Sequence, residues 1–237
     1  LSKKPEAAEI FGRAMVESRG KNFRPIEPYR SVEFTRNWNL NDSLENNAQN
    51  IISGVLGIKK LDKYNLTYSL DRFDAGSDYT GIKNNLNANL NLDGFRGWFI
   101  GSLLETEGAI KSRFTRHKSL VEKDFWITKI GFTDEREDNL RFSPGSDTLS
   151  SAAYKFYDWQ FYIANRDSSD FGYKVFYRER TDFAAAFDDY SESTHAIHYG
   201  AEISLMGNPK NTLKATVSNR ILEIVDEEST TQEPEET

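Results

Sequence analysis

The chain has no cysteine, which excludes disulfides, thiolate metal sites and a cysteine nucleophile. It also has no stretch near the ~20 consecutive apolar residues that a transmembrane helix requires. No basic stripe offsets the formal net charge of −7, so the charge balance argues against a protein that grips a phosphate backbone. Much of that acidity lies close to the C-terminal end, leaving the rest nearer neutral. The glycines form no GxGxxG or phosphate-loop arrangement. A hydrophobic content of 38% is too low for helical membrane spans, and with 13% aromatics it is too high for a disordered chain. A length of 237 residues suits one large β domain or two small ones.

What the sequence does have is a period of two. Residues 84–92 read Asn-Asn-Leu-Asn-Ala-Asn-Leu-Asn-Leu, which is amphipathic only as a β-strand, because successive side chains there point to opposite faces. From residue 51 onward about eleven runs or fewer read as strands by alternation and by β-branched or aromatic content. Residues 62–71 set Tyr64, Leu66, Tyr68 and Leu70 against Asn65, Thr67, Ser69 and Asp71. Residues 95–105 set Phe95, Phe99 and Leu103 against Trp98, Ile100 and Leu104. Further sets are Trp126, Thr128, Ile130 and Phe132 within 125–133, Tyr157, Trp159, Phe161 and Ile163 within 154–164, and Phe171, Tyr173, Val175 and Tyr177 within 171–180. Ile197, Tyr199, Ala201, Ile203 and Leu205 align in 195–205, and Leu213, Ala215, Val217, Ile221 and Val225 in 212–225.

These runs approach ten residues, longer than the usual five or six. Short links at 59–62, 92–95, 122–124, 165–170 and 207–211 alternate with longer polar ones at 72–81, 106–112, 134–151 and 182–194. The expected fold class is therefore all-β, an antiparallel up-and-down meander of long strands forming a β-barrel or part of one. Outer-membrane barrels show that loop asymmetry, and their strands need about nine to eleven residues. The run at 113–122 conflicts with lipid contact, because both faces carry charge: Arg113 and His117 on one, Arg116, Lys118 and Glu122 on the other. Either this segment stands above a membrane or the sheet is not lipid-embedded throughout.

At the N-terminus, Pro5, Glu6, Glu9 and Gly20 carry helix start and stop signals, and Ile10, Phe11, Ala14 and Met15 would share a helical face. Pro25 and Pro28 force an extended connector, after which Val32, Phe34, Arg36 and Trp38 mark a first strand. The expected organisation is an N-terminal helix and lead-in over 1–22, an antiparallel sheet or barrel domain over 23–225, and an acidic disordered tail or loop over 226–237. The start at Leu1, without a signal-peptide pattern, is read as that of a fragment.

The segment from Phe23 to Leu40, FRPIEPYRSVEFTRNWNL, followed by long amphipathic strands with Gly76, Gly81 and Gly94-Phe95-Arg96-Gly97 at turns, resembles large β-rich outer-membrane or cell-surface proteins of Bacteroidetes-type bacteria. The likeness covers most of the chain. It implies surface exposure and a sheet-dominated architecture, with this chain an internal slice, and it supplies no catalytic residue to carry over.

No catalytic, cofactor-binding or metal site rises above background. His195 and His198 lie near Asp188, Asp189, Ser191, Glu192 and Ser193, but an i, i+3 pair on a strand points to opposite faces and cannot share one ion. His117 sits among Arg116 and Lys118, where a solvated basic face accounts for it. Asp167–Asp170, Asp134–Asp138 and Asp71, Asp74 and Asp78 around Gly76 offer oxygens for a calcium ion, yet without EF-hand spacing they read as acidic turns. Trp38, Trp98, Trp126 and Trp159 fit an interfacial girdle or a soluble β core equally well. The expected function is a non-enzymatic structural or transport β-segment of an outer-membrane or cell-surface protein, with envelope proteins as partners, no nucleic acid and no cofactor. The alternative is a soluble periplasmic or extracellular β-barrel or sandwich binding a ligand or partner in its concave face.

Overall fold

The computed structural model describes residues 7–21, 38, 48–61, 63–108, 111–143, 145–146, 148–165, 171–208 and 211–225. They form β1 (Glu9–Arg19), β2 (Gln49–Lys60), β3 (Tyr64–Asp74), β4 (Tyr79–Leu92), β5 (Phe95–Gly108), β6 (Ser112–Phe125), β7 (Thr128–Arg141), β8 (Tyr154–Asn165), β9 (Phe171–Ala186), β10 (Asp189–Asn208) and β11 (Asn211–Ile224). All eleven join one sheet in chain order. Each neighbouring pair is antiparallel. The expected all-β meander of long strands is thus the architecture. β1 and β11 do not pair with each other among the described residues, so the sheet is open and is not a closed barrel.

The expected N-terminal helix is not formed. Residues Glu9–Arg19 are a strand, paired with β2 from Glu9↔Lys59 to Arg19↔Gln49. Ile10, Gly12, Ala14 and Val16 alternate with Glu9, Arg13 and Glu17, so the segment also carries the strand period, and Gly12 weakens a helix. The edge of β2 then supplies backbone partners along the whole segment, and tertiary pairing overrides the local helix signals. Phe11 locks the pairing by lying across its partner Gly57, where an added Cβ would come within 2.3 Å of the ring. Of the weak strand expected over 32–38, only Trp38 is described, in a turn. The expected tail over 226–237 lies outside the described residues.

Two links expected to be long are largely strand. β7 continues through the charged run 134–138 to Arg141, and β9 and β10 are separated only by Phe187 and Asp188. Charged runs read as loops when each charge is assumed to seek water. On β7 the run extends because Arg116 and Lys118 of the neighbouring β6 supply counter-charges, while Asp182 of β9 is met by Arg180 of its own strand.

The registers place the apolar sets on one side of the sheet, except Trp98, Ile100 and Leu104 of β5, which face the other. Leu66 pairs with Ala88 and Ala88 with Phe99, while Phe132 pairs with Phe161, Phe161 with Tyr177 and Tyr177 with Tyr199. The other side carries Asn89 opposite Trp98, Lys118 opposite Glu135, and Asp158 opposite Arg180. One cavity on this polar side draws lining from Glu9 of β1 through Glu122 of β6, so the sheet curls around its polar face. An open sheet of more than ~10 strands is expected to curl. The polarity is inverted relative to a soluble core. Glu122, Glu137 and Asp158 are buried on the concave side, while Leu56, Val175 and Ile203 are exposed on the convex one.

The largest apolar cluster closes the concave face at the end where β3 turns into β4. Trp38, Ile51, Phe73, Ala75, Tyr79 and Leu104 pack there with Phe114 against them. The Phe73 ring lies 5.5 Å from Trp38 and 5.4 Å from Tyr79. The Tyr79 hydroxyl donates to the Trp38 carbonyl, which ties the β1–β2 connection to the sheet.

Candidate functional site

The concave face is built from two polar districts. The first is an ion-pair belt across β6 to β9. Lys118, Glu135, Asp158 and Arg180 stand opposite one another in a single register row. Glu135 and Asp158 are like charges side by side, an arrangement that costs energy unless cations flank it. Lys118 Nζ reaches Glu135 at 2.9 Å and Arg116 reaches it at 2.7 Å, while Arg178 Nε donates to Asp158 at 2.8 Å. Arg180 extends the belt to Asp182 at 2.7 Å. The Glu135 and Asp158 carboxylates lie deeper than the half-exposed Arg116 and Arg178 guanidinium groups above them, so water meets cations over these two acids.

The second district lies at the opposite end, near the β2–β3 and β4–β5 turns. A cavity of about 1000 Å³ opens there. Its floor is one register row, Asn65, Asn89, Trp98 and Leu120, with a second row beside it of Asn91, Arg96 and Glu122. Arg96 Nε lies 3.3 Å from Glu122 and Lys59 Nζ lies 3.3 Å from Glu9, and Lys60 and Lys63 add further cationic groups to the lining.

Glu122 is fixed by a three-strand bridge. Tyr162 of β8 lies flat across Gly131 of β7, and its hydroxyl donates to Glu122 of β6. A Cβ at Gly131 would meet the Tyr162 ring at 2.1 Å, so only glycine admits this crossing. Gly131→Ala is therefore expected to push Tyr162 aside and destabilise the sheet by about 1–3 kcal/mol through overpacking. Urea unfolding read by far-UV circular dichroism checks it, and an unchanged midpoint would show that the ring relocates freely.

The candidate residues from the sequence are dispersed. His195 is on the convex face, 3.1 Å from Glu179, while His198 is on the concave face with its ring edge-on to Phe176. The two imidazoles point apart, as strand geometry requires. His117 meets Asp134 at 2.7 Å beside a shallow convex-side cavity of about 300 Å³. A histidine–carboxylate pair is two thirds of a hydrolytic triad, yet among the described residues neither His117 nor His195 has a hydroxyl nucleophile hydrogen-bonded to it.

The 134–138 run splits between faces, with Glu135 and Glu137 concave and Asp134 and Asp138 convex. Asp71 is concave, and Asp74 is convex, accepting from Arg72 at 2.8 Å and from Thr80 at 3.0 Å. The Arg72 hydrogen bond holds the Asp74 carboxyl below the usual carboxylate range. Asp167–Asp170 lies in part outside the described residues. Among the described residues no group of three or more His, Cys, Asp or Glu side chains could hold a metal ion.

The tryptophans occupy four settings. Trp38 is buried in the β3–β4 end cluster, Trp98 floors the turn-end cavity, and Trp159 stacks between Phe132 and Tyr177 on the convex face. Trp126 is 87% exposed at the β6–β7 turn, in the left-handed region at φ 51°. The amide–indole row escapes a search within single strands because it runs across them. The signal that finds it is Asp93-Gly94, a two-residue hairpin turn that fixes Asn91 opposite Arg96 and Asn89 opposite Trp98.

No protein-family model matches this chain, and neither a curated protein nor a solved structure matches it.

Proposed function

We propose that the chain is a non-enzymatic wall segment of an outer-membrane or cell-surface β-barrel, with its convex face against lipid and its concave face against water. The observation that carries this is the inverted polarity. A soluble barrel buries its apolar side chains inside. Here Leu66, Leu86, Leu90, Phe161, Val175, Ile203 and Val217 are exposed on the convex face while carboxylates are buried on the concave one. Among the described residues no helix is long and apolar enough to cross a membrane, so strands would make any crossing.

The apolar band spans Ile52–Ile58, Tyr64–Leu70, Leu86–Leu92 and Tyr199–Leu205 on β2, β3, β4 and β10, about 20 Å of strand at ~3.3 Å per residue. It narrows on β6 and β7 to Phe125, Val121, Ile130 and Phe132, beyond which His117 pairs with Asp134 and Arg136 with Asp134. In register, His117 and Arg136 stand level with Leu86, Tyr68 and Leu56, so these charged pairs interrupt the band on β6 and β7 at that row. Exposed Phe125, Trp126 and Ile127 at the β6–β7 turn suit an interfacial anchor, since indole rings favour the headgroup level. β1 and β11 run in the same direction, because nine antiparallel strands alternate between them. An all-antiparallel closed wall would then need an odd number of further strands.

The test is to export the chain behind a signal peptide and fractionate the envelope. Resistance to carbonate extraction and heat-modifiable gel mobility are expected. Complete recovery as a soluble monomer would overturn the reading in favour of the soluble ligand-binding β-sheet.

A further inference from the structure

We propose that the turn-end cavity is a saccharide-binding site, with a pyranose ring stacked on Trp98 and its hydroxyls read by Asn65, Asn89, Asn91 and the Arg96–Glu122 pair. The inference rests on the concave face being wet, and it goes beyond the wall reading by naming a ligand class. Four observations converge. The cavity, about 1000 Å³, is at the upper end of the size of small-molecule sites. Its floor sets one indole among three amides and one guanidinium–carboxylate pair, all placed by adjacent registers. Among the described residues the Trp98 indole N–H has no protein hydrogen-bond partner, so one donor is available to a ligand. Arg96 and Lys59 are already engaged, with Glu122 and Glu9, both at 3.3 Å, so the polar floor itself carries no uncompensated charge; Lys60 and Lys63 also line the cavity, which is why inorganic phosphate serves as the competing ligand in the test.

The chemistry of the row selects the class. Asn89 donates one amide hydrogen to Asn87 and Asn65 accepts from Thr67, and the donors and acceptors these amides and Asn91 retain match vicinal sugar hydroxyls, each of which is both donor and acceptor. The C–H face of a pyranose covers the indole, burying apolar area on both sides. The Glu122 carboxylate is rigid, because Tyr162 donates to it and Lys129 lies 3.6 Å away, so it presents a fixed acceptor edge.

The test uses the full chain in its folded state, titrated by calorimetry and tryptophan fluorescence with maltotetraose, cellotetraose and triacetylchitotriose, and with inorganic phosphate as a comparison. Saturable binding of at least one saccharide is expected, weakened about tenfold by Trp98→Ala and retained within about threefold by Trp98→Phe. Asn89→Leu supplies a second variant that leaves the ring in place, and it is also expected to lose affinity. Trp159→Phe, on the convex face, should leave binding unchanged. Binding of phosphate alone, no binding of any of the three saccharides, or saccharide binding indifferent to both Trp98→Ala and Asn89→Leu overturns the proposal. Membrane fractionation reports separately. A soluble chain that binds saccharide sinks only the wall reading, and a membrane-inserted chain that binds none sinks only this one.

Discussion

Phe73→Ala is expected to destabilise the chain by about 3–5 kcal/mol, the cost of emptying a large buried aromatic site. Phe73 is fully buried and sits between Trp38 and Tyr79, with ring centroids 5.5 and 5.4 Å away. Few neighbours can collapse into the space. Tyr79 is held by its hydrogen bond to the Trp38 carbonyl, and Leu104 belongs to a strand paired on both sides. The cluster is also what ties the β1–β2 connection to the β3–β4 end, so the loss reaches beyond one cavity. Urea unfolding of the refolded chain gives the magnitude, and a red shift in tryptophan emission reports Trp38 meeting water. Phe161→Ala is the control, since that ring is 40% exposed on the convex face and has less burial to lose. Equal destabilisation by the two variants would mean that the end cluster is no more a core than the outer surface.

Leu66→Arg is the second large effect, and its sign depends on what the convex face touches. Leu66 stands within the apolar band, opposite Ala88 of β4 and 44% exposed. Against lipid, an arginine at this depth costs about 2–4 kcal/mol near the midplane. Against water, replacing a half-exposed leucine by arginine on a surface is worth no more than ~0.5 kcal/mol. The expected result is loss of heat-modifiable folded protein in the membrane fraction for Leu66→Arg. Asn87→Lys, on the concave face, should fold and insert like the parent. If both variants fold alike, the convex face does not contact lipid.

The strand content was legible because period-two alternation has one structural solution. Leu86, Ala88, Leu90 and Leu92 cannot share a helical face, and the structure puts them on one side of β4. The same rule failed over residues 9–19, where Ile10, Ala14 and Val16 fit a strand while capping residues argued for a helix. Local signals there were nearly balanced, and the free edge of β2 decided between them. It failed again over 134–141 and 182–186. A charged run carries no local mark of whether its counter-ions will arrive, and over 134–138 Arg116 and Lys118 arrive from β6.

The candidate sites divide along the same line. That His195 and His198 point apart follows from strand geometry alone, so their separation was readable. The row Asn65, Asn89, Trp98 and Leu120 was readable only in part. The Asp93-Gly94 turn sets the β4–β5 half of it, whereas Asn65 and Leu120 depend on the registers of β3 and β6. The Tyr162–Gly131–Glu122 bridge spans 40 residues and two strand boundaries, and no sequence pattern marks a ring that must lie over a glycine.

By itself, the sequence determined that the chain would form long strands with one apolar and one polar face, because alternation at a period of two leaves no other amphipathic arrangement. Which face the sheet would enclose was decided only in three dimensions. Alternation is symmetric: the same pattern serves a sheet curled around its leucines or one curled around its asparagines and ion pairs. The registers brought cations of β6 and β9 beside carboxylates of β7 and β8 on the polar side, and these pairs let the open sheet curl about its polar face.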